Sequence, residues 1–389
     1  MGVVEVVVIG GPFVVAAGAA VEGMTIERPA DRQVAPDPRG AVPEHAAPIL
    51  GSTTRTRRDG DAMEQRTLGR TGRSVSVIGL GTWQLGADWG DVSEQDAIAV
   101  LRAAHDSGVR FFDTADVYGD GRSERIIGAF LRELGDHDVV VATKAGRRVE
   151  QLPEHYTLEH LRSWVDRSRE NLGVERLDLV QLHCPPTAVY SQDGVFDALD
   201  TLVAEERIAA YGVSVETRAE GLAAIARPGV ASVQLILNML RLAPLEAVLP
   251  AAADANVGII VRVPLASGLL SGKYDERTTF AEDDHRTYNR EGQAFDIGET
   301  FSGVPFETGL EAVRRLAPLV PAEATMAQFA LRWIIDQPGV STVIPGARSV
   351  EQARSNAAAA ELPPLSEEAL AGVEQVYDEV IAPHVAGRW

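Results

Sequence analysis

Lysine is almost missing from this chain. It carries 36 basic side chains in 389 residues, and only Lys144 and Lys273 are lysines. Arginine and lysine serve equally as solvated charges, but not where a site needs a compact ammonium that tunes a neighbour's pKa. Each lysine is therefore a candidate site residue. Lys273 also fits an ordinary surface charge, whereas Lys144 ends the run Val139-Val140-Val141-Ala142-Thr143-Lys144. That run reads as a buried strand, where an unpaired charge is costly. Cysteine is scarcer still. The single Cys184 excludes an internal disulfide and fits a reducing, cytoplasmic setting. It reads as a small buried residue, since no base is implied beside it. No CxxC or clustered Cys/His spacing is present, so no metal site is expected, and Asp284, His285 and Arg286 read as a solvated loop cluster. A basic stripe is lacking too. The net charge is −20, which argues against nucleic acid as a partner. The apolar stretch from Val3 to Val21 is broken by Glu5, Gly10, Gly11 and Pro12 and has no positive leader, so no membrane span or secretory signal is expected. No GxGxxG follows a strand, and Gly79-Leu80-Gly81 is too short to indicate a Rossmann site.

What is present is ordinary in bulk, 45% hydrophobic and 24% charged. Residues 1–62 lack periodicity and are rich in Pro, Arg, Asp and Gly. They read as an over-extended reading frame or a disordered tail, with a single barrel domain over residues 63–389. From Glu64 to Val75, polar–apolar alternation around glycines predicts a β-hairpin. Eight apolar runs follow: Val75–Leu80, Val109–Asp113, Val139–Lys144, Leu177–His183, Ala209–Ser214, Ser232–Leu237, Gly258–Val263 and Ser341–Pro345. Amphipathic stretches lie between them, among them Glu94–Asp106, Ser123–Leu134, Leu158–Leu172 and Val195–Glu205. Near-continuous apolar strands alternating with helices predict a parallel sheet, and eight units in this length predict a closed (β/α)8 barrel, an α/β fold of the TIM type. The hairpin would cap its N-terminal end. The longest irregular stretch, Ala266–Pro305 after strand seven, is long enough to be functional.

Polar residues fall at the C-terminal ends of successive predicted strands. Asp113 ends the second, with Tyr118 in the loop beyond; Lys144 ends the third and His183 the fourth. In a barrel these ends converge on one face. Alone, each has an ordinary reading: a satisfied loop tyrosine, a core histidine, a structural ion pair. Together they have a specific chemistry. A phenol titrates near ~10 and is a poor acid at neutral pH. An adjacent ammonium stabilises the phenolate and is expected to lower that value. A carboxylate keeps the ammonium charged, and a histidine can hydrogen-bond a carbonyl oxygen. Such a group donates a proton to an oxygen that becomes an alkoxide as hydride arrives.

From Arg66 to Trp389 the chain resembles the aldo-keto reductases, in particular their bacterial, channel-β-like branch. The resemblance lies in Phe112-Asp113-Thr114-Ala115-Asp116-Val117-Tyr118-Gly119, Ala142-Thr143-Lys144, Leu182-His183, Gly212-Val213-Ser214, Ser267-Gly268-Leu269-Leu270-Ser271-Gly272-Lys273-Tyr274 and Ile344-Pro345-Gly346-Ala347-Arg348. It implies a catalytic tetrad of Asp113, Tyr118, Lys144 and His183 and an NADP(H) site across the barrel mouth. Thr82 and Trp83 would lie near the nicotinamide, and Ser214 and Gln234 would hold its carboxamide. The diphosphate would run along Pro264, Leu265 and Ala266 toward Lys273, and the adenosine end would meet Gly346, Arg348, Gln352 and Asn356. A guanidinium at Arg348, just before a predicted helix from Val350, suits a 2′-phosphate. Three departures from the family pattern bear on cofactor affinity: Val215 where Asn or Arg is usual, Val263 where Ser is usual, and Ser355 where Glu is usual.

The implied function is NADPH-dependent reduction of an aldehyde or ketone, with a small carbonyl compound as partner and a monomer or weak homo-oligomer as assembly. Two other classes fit part of the pattern. One is a non-catalytic NADP(H)-sensing subunit like the channel β subunits; no docking segment is recognisable for it. The other is a Schiff-base aldolase using Lys144, which would need no dinucleotide site. Trp83 and Trp89 are expected at the mouth, in the first βα loop, making it apolar.

Overall fold

The computed structural model describes residues 63–86, 92–385 and 387–388. The expected N-terminal extension and Trp89 lie outside the described residues. The chain opens with an antiparallel hairpin, β1 (Gln65–Thr67) and β2 (Ser74–Ser76), in the register Arg66↔Val75. Eight parallel strands follow: β3 (Leu80–Gly81), β4 (Phe111–Asp113), β5 (Val140–Ala145), β6 (Leu179–His183), β7 (Tyr211–Ser214), β8 (Val230–Ile236), β9 (Gly258–Arg262) and β10 (Val340–Val343). They pair in sequence order, and parallel bridges Ile78↔Val343 and Gly81↔Gly346 join the last strand to the first. This is the expected (β/α)8 barrel.

One expected strand divides. The run Val75–Leu80 supplies the end of β2 and then β3, because Val75 and Ser76 pair back across the hairpin while Ile78 and Leu80 join the barrel. The principal helices are α1 (Glu94–Asp106), α2 (Arg122–Leu134), α3 (Leu158–Leu172), α4 (Asp193–Ala204), α5 (Arg218–Ile225), α6 (Pro244–Asp254), α7 (Phe306–Leu316), α8 (Met326–Asp336), α9 (Val350–Ala358) and α10 (Glu367–Val376). Their starts are written in side chains: Ser93, Thr157, Thr325 and Ser349 each cap the backbone of the first turn, and Thr217–Glu220 forms a capping box.

Two apolar cores result from the two-residue strand period. Side chains pointing outward, such as Phe112, Val141, Val180, Val213 and Val261, pack under the helices. Side chains pointing inward, Phe111, Val140, Ala142, Leu179, Ile260 and Ile344, fill the barrel, and Leu68 and Val75 of the hairpin close its N-terminal end. Gly258 sits against the hairpin, where a Cβ would lie 2.6 Å from Leu68 Cδ1, so only glycine lets β9 approach. The same inward period continues past the plug of apolar residues: Asp113 follows Phe111 by two, Lys144 follows Ala142, and Gln181 and His183 follow Leu179. The barrel core therefore ends, on every one of these strands, in a polar side chain at the C-terminal face.

Candidate active site

Lys144 is the centre of that face. Its side chain is 2% exposed, and its ammonium pairs with the Asp113 carboxylate. It also donates to the Thr114 carbonyl at 3.0 Å and to the Tyr118 hydroxyl at 3.4 Å, and it lies 5.1 Å from the Tyr118 ring centre. Asp113 accepts further bonds from Gln181 Nε2 at 3.1 Å and Gln234 Nε2 at 2.7 Å. Parallel register explains the gathering, since Lys144 pairs with Gln181 and His183 pairs with Ser214. Tyr118 reaches the site from the loop after β4. That loop is pressed on the first βα turn, with Gly119 at φ 58° against the Gly86 backbone, a contact no side chain at 119 would permit. The His183 ring meets the Tyr118 ring edge-on at 6.0 Å.

The charges follow from this packing. Burial alone would lower the Lys144 amine, but Asp113 and Tyr118 outweigh it and hold the amine above its usual value, as an ammonium. That is the wrong state for a Schiff-base nucleophile. For Tyr118 the sequence-based expectation is corrected. Enclosure raises the phenol above its ordinary value, and the Lys144 ammonium pulling down and Asp113 pushing up leave it raised. The hydroxyl stays protonated at neutral pH, the form that donates. His183 is held well below its usual value, first by burial and then by Arg147, Lys144 and Arg262. Burial also raises the Cys184 thiol, in keeping with an inert buried residue.

A cavity of about 790 Å³ opens over the tetrad. Asp113, Tyr118, Lys144 and His183 line it, as do Thr82, Trp83, Ser214, Gln234, Pro264, Leu265, Lys273, Gly346, Arg348, Gln352 and Asn356. Ala266 does not; it is fully buried beneath the wall at φ 46°. The Thr82 hydroxyl is engaged with the Asp113 carbonyl at 2.9 Å and with Ser123, so it braces the tetrad loop. Gln352 accepts from the Arg348 backbone at 2.7 Å, and Asn356 donates to the Gly346 carbonyl at 3.1 Å, shaping the turn before α9. Trp83 stacks on Tyr118 at 6.2 Å and meets His285 and Phe295.

Several lining groups are absent from the sequence-based set. His285 is buried, and Asp284 and Arg286 are each 13% exposed, so this cluster is not solvated as expected. It packs in the cavity wall because Trp83 and Phe295 offer aromatic faces to His285. Arg262, on the barrel side of β9, pairs with Glu299 of the long loop and donates to the Val215 carbonyl at 3.1 Å. The signal was in the sequence: an arginine in an apolar run, the same anomaly that singles out Lys144. Arg241–Asp296 also holds the long loop, and the bond from Ser267 Oγ to the Glu299 carbonyl ties the start of that loop to its end. Among the described residues no cluster of metal-ligating side chains and no helix long and apolar enough to cross a membrane is found.

Comparison with known proteins places the geometry in context. The aldo/keto reductase family model matches residues 77–378. The chain is 32% identical to aldo-keto reductase YhdN of Bacillus subtilis over 296 residues, covering 75% of this chain and 86% of that one. It is 28% identical to a probable voltage-gated potassium channel subunit beta of Arabidopsis thaliana, covering 78% of this chain and 93% of the other. Among solved structures it resembles an aldo/keto reductase from Klebsiella pneumoniae in complex with NADP and acetate. That match has a TM-score of 0.60 and 26% identity, covering 80% of this chain and 94% of that one.

Proposed function

The chain belongs to the aldo/keto reductase family, and on that premise we propose that it reduces an aldehyde or ketone to an alcohol, with NADPH as cofactor and Tyr118 as proton donor. The observation that carries the proposal is the Lys144 ammonium seated between the Asp113 carboxylate and the Tyr118 hydroxyl at the base of the cavity.

The cavity fits such a cofactor. Its volume is within the ~300–1,000 Å³ of ligand sites. In a chain of net charge −20 its lining nevertheless includes Lys273, Arg348, Arg286, Arg262 and Arg147. Lys273 and Arg348 come from the loops after β9 and β10, across the barrel from Lys144 and His183. They are suited to the diphosphate and the 2′-phosphate, with the start of α9 adding its backbone amides. Ser214 and Gln234 are suited to the carboxamide. When bound, the reduced nicotinamide supplies the hydride that the carbonyl carbon accepts.

The side chains do the rest. His183 and Tyr118 hydrogen-bond the carbonyl oxygen and fix its place. As that oxygen gains charge, Tyr118 Oη passes its proton to it. Lys144 stabilises the phenolate left behind, and Asp113 keeps Lys144 charged and oriented. Trp83, His285 and Phe295 wall the cavity and exclude water. Oxidation of an alcohol runs the same steps backward. The test is NADPH absorbance followed with a panel of aldehydes, ketones and sugars, and NADP+ with the matching alcohols. Turnover with at least one carbonyl class is expected; none, with NADPH binding intact, would favour a nucleotide-sensing role.

A further inference from the structure

His183 ends β6, and the chain turns sharply there, with Cys184 in the left-handed region at φ 47°. The His183 and Cys184 carbonyls are paired by side chains. Arg147 Nε donates to the His183 carbonyl at 3.2 Å. Gln151 Nε2 donates to the same oxygen at 3.1 Å and to the Cys184 carbonyl at 3.0 Å. Both donors lie just beyond β5, the strand that carries Lys144. The loop after one tetrad strand thus clamps the end of the next.

His183 is buried, 8% exposed, and its Nδ1 has no hydrogen-bond partner among the described residues. A neutral ring can leave Nδ1 as a bare acceptor and present its other nitrogen as a donor. An imidazolium would bury a second N–H with nothing to receive it, which is the costlier state.

We propose that Arg147 is a positioning residue for His183: it clamps the His183 carbonyl and adds a positive charge nearby, so that the imidazole meets the substrate oxygen as a neutral hydrogen-bond donor. This rests on the reductive reading above. The charged groups around it act in a consistent sense. Lys144 from β5 and Arg262 from β9 add positive charge. Asp296 and Glu299 of the long loop are paired with Arg241 and Arg262. Glu216, beyond β7, stands 3.6 Å from Arg147 and is pushed up to about 7, chiefly by burial. As pH falls below neutrality Glu216 loses its charge, and the field of Arg147 on His183 is least compensated where a free imidazole would protonate.

The experiment compares Arg147→Ala, Arg147→Gln and Arg147→Lys in the full chain. It measures kcat/KM from about pH 5 to about pH 8, alongside nitrogen-15 NMR titration of His183 and NADPH binding. Wild type is expected to show no His183 titration in that window. Arg147→Ala is expected to lose about tenfold more kcat/KM at the acid end than wild type, with the His183 shifts now titrating inside the window. Arg147→Gln keeps a donor and is expected to recover kcat at alkaline pH while retaining the acid loss. Arg147→Lys keeps the charge and is expected to preserve the acid side. If Arg147→Ala does not fold, the Gln and Lys variants decide between clamp and charge. A variant profile parallel to wild type at a lower plateau, or wild-type His183 titrating inside the window, would overturn the proposal. Absence of carbonyl turnover in wild type would instead remove the reductive reading, with the NMR titration still reporting on Arg147.

Discussion

Replacing Lys144 by methionine tests the ion pair at the base of the site. The substitution nearly preserves volume and deletes only the ammonium, so the cavity term stays small. Asp113 is left in a pocket where its side chain is 4% exposed, with Gln181 and Gln234 as its remaining donors. Breaking a buried pair from one side costs ~3–5 kcal/mol. The folded variant can escape by protonating Asp113, and the cost of doing so depends on pH. With an unfolded value of ~3.9, binding a proton at pH 7 costs ~4 kcal/mol, and at pH 5 ~1.5 kcal/mol. The stability deficit of the variant therefore grows as pH rises above the value of a free carboxylate. The unsatisfied Thr114 carbonyl adds ~1–3 kcal/mol at every pH. The assay is the thermal midpoint of variant and wild type at the two pH values. At roughly 1–2 °C per kcal/mol for a barrel of this size, the ion-pair part of the gap should shrink from roughly 4–8 °C at pH 7 to roughly 1.5–3 °C at pH 5. A gap of equal size at both would show that Asp113 carries no uncompensated charge, and the electrostatic account of Lys144 would be wrong.

Lys144→Arg should impair turnover nearly as much as Lys144→Ala, because three acceptors surround a compact ammonium with no room for a planar fork; near-normal kcat would contradict this. Arg348→Ala should weaken NADPH binding by ~1.5–3 kcal/mol and NADH binding much less, and equal losses by fluorescence titration would remove Arg348 from the 2′-phosphate. Cys184, buried with a raised thiol, should react with iodoacetamide more slowly than free cysteine near pH 8, and Cys184→Ala should keep kcat within about threefold. Abolished turnover in that variant would give the thiol a role this account does not contain.

The elements most legible in the sequence were those set by local period and local caps. The boundaries of α1 and α3 follow from amphipathic spacing between Ser93 or Thr157 and a terminating turn. The expected tetrad is brought together because the inward period that places Phe111, Ala142 and Leu179 in the barrel also places Asp113, Lys144 and His183 at its mouth. What was not legible depends on contacts between distant segments. Nothing local says that the run Val75–Leu80 divides between hairpin and barrel after Ser76, or that Ala266 turns under the cavity wall. The burial of His285 requires Trp83 and Phe295 on other segments, so Asp284-His285-Arg286 looked like a polar loop. Arg262 could have been found by applying the rule used for Lys144, a charge within an apolar run. The direction for Tyr118 failed because two opposing effects meet there, and their balance depends on enclosure that no sequence pattern reports.

The most direct test of the central claim is single-turnover hydride transfer in Tyr118→Phe beside wild type, with NADPH affinity measured in the same preparation. Because the hydroxyl acts only as charge develops on the carbonyl oxygen, turnover should fall by ~10²–10⁴-fold while NADPH binding stays near the wild-type value. Unchanged hydride transfer in a variant that still binds NADPH would contradict the assignment of Tyr118 as the proton donor.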